Sequence, residues 1–295
     1  MKATSGLGAA LFAAVALAAA GPASADIVTE WSYSNDAKFT AATWSSGNVG
    51  TTKEDYVLSW GGTASYTNTE ADSSTARSAL TIGTETTGDD RFGGGPATGT
   101  ISTTVGGSPN PAAGQIANGV TITHWNNTLA STRSTLTGGT IKATLELQAL
   151  NPIAGGWETL DPLSFSFHFL ETPNSSPCAE PSDSTCDDLF GIIGFTNANQ
   201  EFTYGDDPEV YFASIYLMNE GGTASPFGTL SAAQCTLLGL STGCQGFRTP
   251  EREVTSAQFL FSITTKPMNI PEPGTLALLG LALAGLGARH RRASR

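Results

Sequence analysis

Apolar and polar residues alternate along much of this chain. Between Ile141 and Leu150, Ile141, Ala143, Leu145, Leu147 and Ala149 fall on one face and Lys142, Thr144, Glu146 and Gln148 on the other. That period of two belongs to a strand with one buried face. Leu163, Phe165, Phe167 and Phe169 alternate in the same way with Ser164, Ser166 and His168. The runs EVYFASIYLM (209–218) and SAQFLFSIT (256–264) are aromatic and β-branched, as buried strands tend to be. Gly138-Gly139, between two strand-like runs, predicts a hairpin turn. Helix signals are sparse; the best is Ser231 and Gln234, a capping box opening AAQCTLLGL, which predicts a short helix ended by Gly239. From Gly83 to Gly119 the chain is mostly Gly, Thr, Ser, Pro and Ala, which predicts a long surface excursion with one or two weak strands. No repeat of fixed period is present. The pattern predicts a single all-β domain, an antiparallel β-sandwich of jelly-roll type.

Both ends depart from this pattern. Met1-Lys2 is followed by a small apolar run from Leu7 to Ala20 and by Ala23-Ser24-Ala25. This is the layout of a secretory signal peptide, read by signal peptidase, with cleavage expected after Ala25. At the other end, Thr275 to Ala288 is uncharged and Arg289, Arg291, Arg292 and Arg295 follow it. A helix over that run spans about 21 Å, short of the roughly 30 Å hydrocarbon core. It still makes a short anchor if the arginines snorkel. The positive-inside rule then leaves the body of the protein outside the inner membrane. Pro271 and Pro273 stop that helix from extending backwards.

Pro271-Glu272-Pro273, the apolar run and the arginine cluster, in that order at the C-terminus, resemble the PEP-CTERM sorting signal of bacteria. The resemblance implies recognition of the three-residue motif by an exosortase, a membrane-embedded cysteine transpeptidase-like enzyme. It implies transient anchoring in the inner membrane through 275–288, removal of the tail, and passage of the body to the cell surface or extracellular matrix. The chain then divides into a signal peptide (1–25), an extracytoplasmic β domain (26–270) and a sorting signal (271–295).

Of the 26 acidic and 14 basic residues, Glu272, Lys2 and the four tail arginines lie outside 26–270, which leaves 25 against 9 and a net charge of −16. Such a body repels nucleic acid and anionic lipid. Its length is enough for a proper core. The four cysteines form two close pairs, and an exported chain keeps disulfides. Of the three possible pairings, the local one, Cys178–Cys186 and Cys235–Cys244, is expected because each pair brackets a loop rich in small and polar residues. Neither pair has the C-x-x-C spacing of a zinc site.

One short stretch looks chemical. In GVTITHWNN, strand alternation sets His124 and Asn126 on one face and Thr123 and Trp125 on the other. Imidazole and carboxamide together suit a metal or a polar ligand; equally, they suit a hydrogen-bonded lock at a strand end. Trp125 reads as core. With LSWGG (58–62), ETPN (171–174) ahead of Cys178, and CDDLFGI (186–192), this stretch is similar to the THxN family of PEP-CTERM proteins, whose motif falls on Thr123, His124 and Asn126. The resemblance implies a class of protein and no activity.

Asp187-Asp188 and Asp206-Asp207-x-Glu209 are acidic clusters on expected loops, weak candidates for calcium, which takes six to eight oxygens. No nucleophile elbow, zincin, P-loop, dinucleotide or EF-hand motif is present. The reading is an exported surface or matrix protein of structural or interaction type, not an enzyme, with no cofactor required. The alternative is a calcium-dependent carbohydrate-binding module associated with exopolysaccharide, with Trp31, Trp44 and Trp157 as candidate exposed aromatics.

Overall fold

The computed structural model describes residues 26–47, 50–62, 77–84, 94–129, 131–173, 186–193, 199–206, 208–216 and 228–268. The termini, including 1–25 and the 269–295 tail, lie outside the described residues, as do Cys178 and Asp207.

The described chain is almost all strand. In order these are β1 (Glu30–Trp44), β2 (Thr52–Lys53), β3 (Val57–Trp60), β4 (Ser78–Gly83), β5 (Ala97–Ser102), β6 (Ala117–Trp125), β7 (Leu136–Asn151), β8 (Ile153–Thr159), β9 (Leu163–Leu170), β10 (Asp188–Ile193), β11 (Asn199–Phe202), β12 (Tyr211–Tyr216), β13 (Gly228–Thr229), β14 (Gln245–Thr249) and β15 (Val254–Thr264). One helical turn and a half, α1 (Ala232–Leu237), follows β13. Its N-cap is Ser231, in a reciprocal capping box with Gln234, and Gly239 follows it at φ +70°. This is the stop that the sequence predicts, because a left-handed residue past the last turn is cheap only for glycine.

The strands form two antiparallel sheets. The larger has the order β13-β14-β10-β9-β7-β1-β5, with β8 on β7; the smaller has the order β11-β12-β15-β6-β4-β3-β2. Their apolar faces share one core. Ile141, Ala143, Leu145, Leu147 and Ala149 of β7 are all buried in it, as are Phe167 and Phe169 of β9. From the smaller sheet come Leu58, Leu80, Val120, Ile122, Phe259, Phe261 and Ile263. Edge-to-face aromatic pairs join the layers, such as Tyr33 with Phe261 at 4.8 Å between centroids.

Two expectations are corrected. Gly138-Gly139 is not a hairpin: both residues lie inside β7, paired with β9 and β1. A Cβ at Gly139 would meet the Ala41 carbonyl oxygen at 2.5 Å and Phe167 Cζ at 2.8 Å. Close approach of neighbouring groups, not a turn, requires glycine there. Trp31 is not exposed: it is fully buried, ringed by Phe202, Tyr204 and Tyr211. Trp125 is core, as expected: it is buried in a small cluster with Ala79, separate from the main one.

The stretch from Gly83 to Gly119 supplies β5, whose Ala97 and Ile101 reach the core. Cys235 and Cys244 are joined in a disulfide that ties α1 to the start of β14. Cys186 is also disulfide-bonded. Among the described residues no helix is long and apolar enough to cross a membrane; the run 275–288 lies outside them.

Candidate functional site: a buried histidine and its carboxylates

Period-two alternation builds this site at one end of the two sheets. In β6 the inward line runs Val120, Ile122, His124. In β10 it runs Asp188, Phe190, Ile192. The inward line of β9, Phe167 and Phe169, continues into Glu171 just past the strand. In β3 it is Leu58 and Trp60. The inward positions that are apolar along the core therefore end in Trp60 and three ionisable side chains.

His124 and Asp188 are 0% and 1% exposed. The imidazole is stacked on Trp60, with 5.8 Å between centroids and 10° between planes, and meets the edge of Phe169 at 4.9 Å. Its Nε2 faces Asp188 Oδ2 at 3.8 Å, beyond hydrogen-bond length. The other Asp188 oxygen is satisfied: Oδ1 accepts the backbone N–H of Thr172 at 2.8 Å. Glu171 is half-buried as a residue, but its carboxylate is enclosed. Its Oε2 accepts the Trp60 indole N–H at 2.7 Å. Both ring nitrogens of His124, Asn126 Oδ1 and Glu251 Oε2 are buried with no hydrogen-bond partner, while the carboxyls of Glu171 and Asp188 are hydrogen-bonded to each other.

Asn126 shapes the rim. Its carboxamide donates to the carbonyls of Thr249 and Pro250, and its backbone N–H donates to Glu253 O at 3.0 Å. These bonds hold the turn between β14 and β15, which carries Glu251. Thr128 Oγ1 donates to Glu251 Oε1 at 2.7 Å, leaving Oε2 inward. Thr123 points the other way, to Ser256 Oγ at 2.9 Å.

Burial sets the protonation states. It holds the His124 imidazole down to about 3, so the ring is neutral. It pushes Glu171 up to about 8, reinforced by the charge of Glu251 and opposed by the hydrogen bonds with Trp60 and Asp188. Asp188 is driven well above the usual carboxylate range by burial first, then by the charge of Glu171. Two enclosed carboxyls side by side do not both ionise at neutral pH without a compensating cation.

The other candidates are scattered. Asp187, expected on a loop beside Asp188, is instead buried and paired with Arg248 at 3.2 Å on the opposite side of the chain. Asp188 is no loop acid either: it opens β10. Asp206 is exposed and Glu209 half-buried. Among the described residues no group of three His, Cys, Asp or Glu side chains could hold a metal ion. His168, the other histidine of the body, meets the Leu238 carbonyl through Nδ1, away from this cluster. Sequence reasoning singled out His124, Asn126 and Asp188. It missed Glu171 and Glu251 as partners, although Glu171 continues the Phe165, Phe167, Phe169 alternation. None of the curated proteins compared with the chain matches it. Residues 269–292 match the family described as the PEP-CTERM protein-sorting motif, and the chain is therefore an exosortase-targeted protein exported to a surface or extracellular destination.

Proposed function

We propose that the chain is an exported, non-enzymatic protein of the cell surface or extracellular matrix, whose body acts by display and interaction. The observation that carries this reading is the sorting motif at 269–292, attached to an acidic all-β body with no marked nucleophile. Several further steps belong to the reading. Residues 1–25 are a signal peptide removed by signal peptidase. The 275–288 run anchors the chain transiently in the inner membrane, with its arginines inside. Exosortase reads Pro271, Glu272 and Pro273, and releases a jelly-roll-like domain. That domain belongs to the THxN family, with Thr123, His124 and Asn126 as its motif. The segments that carry this likeness, LSWGG, THWNN, ETPN and CDDLFGI, supply Trp60, His124, Asn126, Glu171 and Asp188, which meet in one cluster. Such convergence supports a shared structural purpose for them. Deleting the exosortase of the native host tests the reading: full-length chain should accumulate in the inner membrane fraction and vanish from the surface. Unchanged surface delivery contradicts it.

A calcium-dependent carbohydrate-binding role, with exopolysaccharide as ligand, is the second reading. Trp157, 52% exposed, lines a shallow groove with Ser32, Ser34, Thr98 and Glu146 on the larger sheet. An indole beside hydroxyls and a carboxylate suits a sugar ring. Trp44 is half-buried against the core and takes no part. A glycan screen with and without calcium, repeated with Trp157→Ala, tests this reading.

A further inference from the structure

We propose that the outer face of the larger sheet, between β5 and β8, binds a pyranose polymer free of acidic groups, and binds it without calcium. This rests on the carbohydrate-binding reading above, departs from it on the ion, and can fail separately from it.

The first ground is the alignment of the strands. Thr98, Ser34, Glu146 and Thr159 are successive register partners across β5, β1, β7 and β8. Their side chains leave the sheet away from the core, because Tyr33, Leu145 and Leu147, which flank Ser34 and Glu146, are buried in it. Thr100, Ser32 and Gln148 form a second row, two residues further along. The rows lie about 7 Å apart, and the first spans about 14 Å from β5 to β8. Trp157 precedes Thr159 by two residues, where the register of β8 on β7 slips, and its exposed indole closes the groove at the β8 end. A sugar ring offers C–H groups on its faces and hydroxyls around its edge. The faces suit the negative π-face of the indole, and the hydroxyls suit rows of side chains that both donate and accept.

The second ground is rigidity. Trp157 sits on a strand that is pinned on both sides of it. The Tyr204 hydroxyl donates to the Gly156 carbonyl and accepts the Ala149 N–H at 3.2 Å. Glu158 Oε1 accepts the Gly205 N–H at 2.9 Å. Tyr204 is itself buried edge-on against Trp31. The indole is thus exposed on a fixed backbone, so a ligand that stacks on it has little chain to order. It adds nothing to the core, and packing gives no reason for so large a ring at this position.

The third ground is charge. Glu146 is the one charged side chain lining the groove. One of its oxygens accepts the Thr159 hydroxyl at 3.2 Å, which leaves the other to accept from a ligand hydroxyl or ammonium. The lysines of this face, Lys38 and Lys142, oppose each other four residues from Ser34 and Glu146, a distance of roughly 13 Å along the strands. Lys38 is engaged with Asp55 at 3.3 Å. A uronic acid or sulfated polymer therefore meets a carboxylate and an acidic body with no cation to receive it. Calcium takes six to eight oxygens, and among the described residues no three acidic side chains gather to hold an ion.

The test is isothermal titration calorimetry of the full-length protein, in mild detergent and EDTA, against a neutral glucan oligomer, a glucosamine oligomer and an oligouronate. The first two should bind and the third should not. Trp157→Ala should weaken binding about tenfold, as loss of a central aromatic anchor does, with circular dichroism unchanged. A glucosamine affinity above that of the glucan, lost in Glu146→Gln, marks an amino polymer as the ligand; equal affinities mark a neutral one. Binding that requires calcium, that favours the uronate or that survives Trp157→Ala overturns the proposal and leaves a carbohydrate-binding role standing. Failure of all three sugars, with calcium as well as without, removes that role and the proposal together. Should Trp157→Ala fail to fold, the charge preference and calcium independence of the wild type decide the matter.

Discussion

His124 Nε2 lies 3.8 Å from Asp188 Oδ2, one from each sheet, both sealed from solvent. Each occupies the last inward position of its strand line, where its neighbours are Ile122 and Phe190. Two predictions follow from this pair and the residues around it.

Stability should fall as the pH rises from 6.5 to 8. Glu171 is held up to about 8 in the folded protein, against an ordinary value of 4.5. Between those values the folded state keeps a proton that the unfolded state has lost. Stability is therefore fully present at low pH and is lost as the pH approaches 8. Asp188, also raised, acts in the same direction. His124, lowered to about 3, acts in the opposite direction, but its contribution is complete above 6.5. Urea midpoints should show a loss on the order of 2 kcal/mol across the window from Glu171 alone, and Glu171→Gln should flatten the slope. A rising slope between pH 6.5 and 8 contradicts this protonation scheme.

His124→Leu should melt at the wild-type temperature or above it, because it removes two unpartnered nitrogens and fills the space between Trp60 and Phe169 with apolar groups. His124→Ala should instead cost about 2–4 kcal/mol through the cavity it leaves. Thermal melts of the two variants separate packing from polarity. Equal losses in both would mean that the imidazole makes a bond missing from this description.

Gly139→Ala should destabilise by about 1–3 kcal/mol, since the added methyl collides with the backbone of β1 and with the Phe167 ring. A hairpin glycine at a turn would respond chiefly through its backbone angles, and a nearby insertion would be tolerated. Denaturant melts of Gly139→Ala and of a one-residue insertion after Gly139 check this; the insertion should be the more damaging, because it shifts the register of β7 against β1 and β9.

The same residue shows why legibility from sequence was uneven. Alternation announced β7 and β9, because those strands bury one face and carry enough residues for the period to show; β12 and β15 were legible from their aromatic and β-branched composition. The same signal was overlooked at Trp31: Trp31, Tyr33, Ala37 and Phe39 alternate with Ser32, Ser34 and Lys38, a core-facing line that argues against an exposed indole. Glycine pairs are ambiguous, since turns and close strand contacts both require them. In the site, strand parity placed His124 inward and separated it from Thr123 and Trp125. It could not reveal that the end of β9 and the start of β10 lie opposite, because that depends on which faces of the two sheets meet. Glu251 was beyond sequence reasoning altogether, as it arrives through a turn pinned by Asn126.

Removing the Cys235–Cys244 bond by a double alanine substitution should cost roughly 2–3 kcal/mol by the loop-entropy argument. The damage should be local, since the bond closes α1 onto the small cluster of Leu189, Leu230 and Leu238. Hydrogen exchange should speed up in 228–246 and stay unchanged in β7. Uniform acceleration would show that this cluster and the main core unfold as one unit.

The account rests most heavily on the tail as a sorting handle attached to a separable body. Intact-mass analysis of the protein recovered from the host surface tests that directly. The expected mass is that of a chain beginning at Asp26 and ending at or near Pro271-Glu272-Pro273, without the 275–288 run and the arginines. Replacing Pro271 and Pro273 with alanine should abolish that species and leave the uncleaved chain in the inner membrane fraction. A surface species that still carries Arg289 to Arg295, or unaltered delivery of the double-alanine protein, would contradict the account.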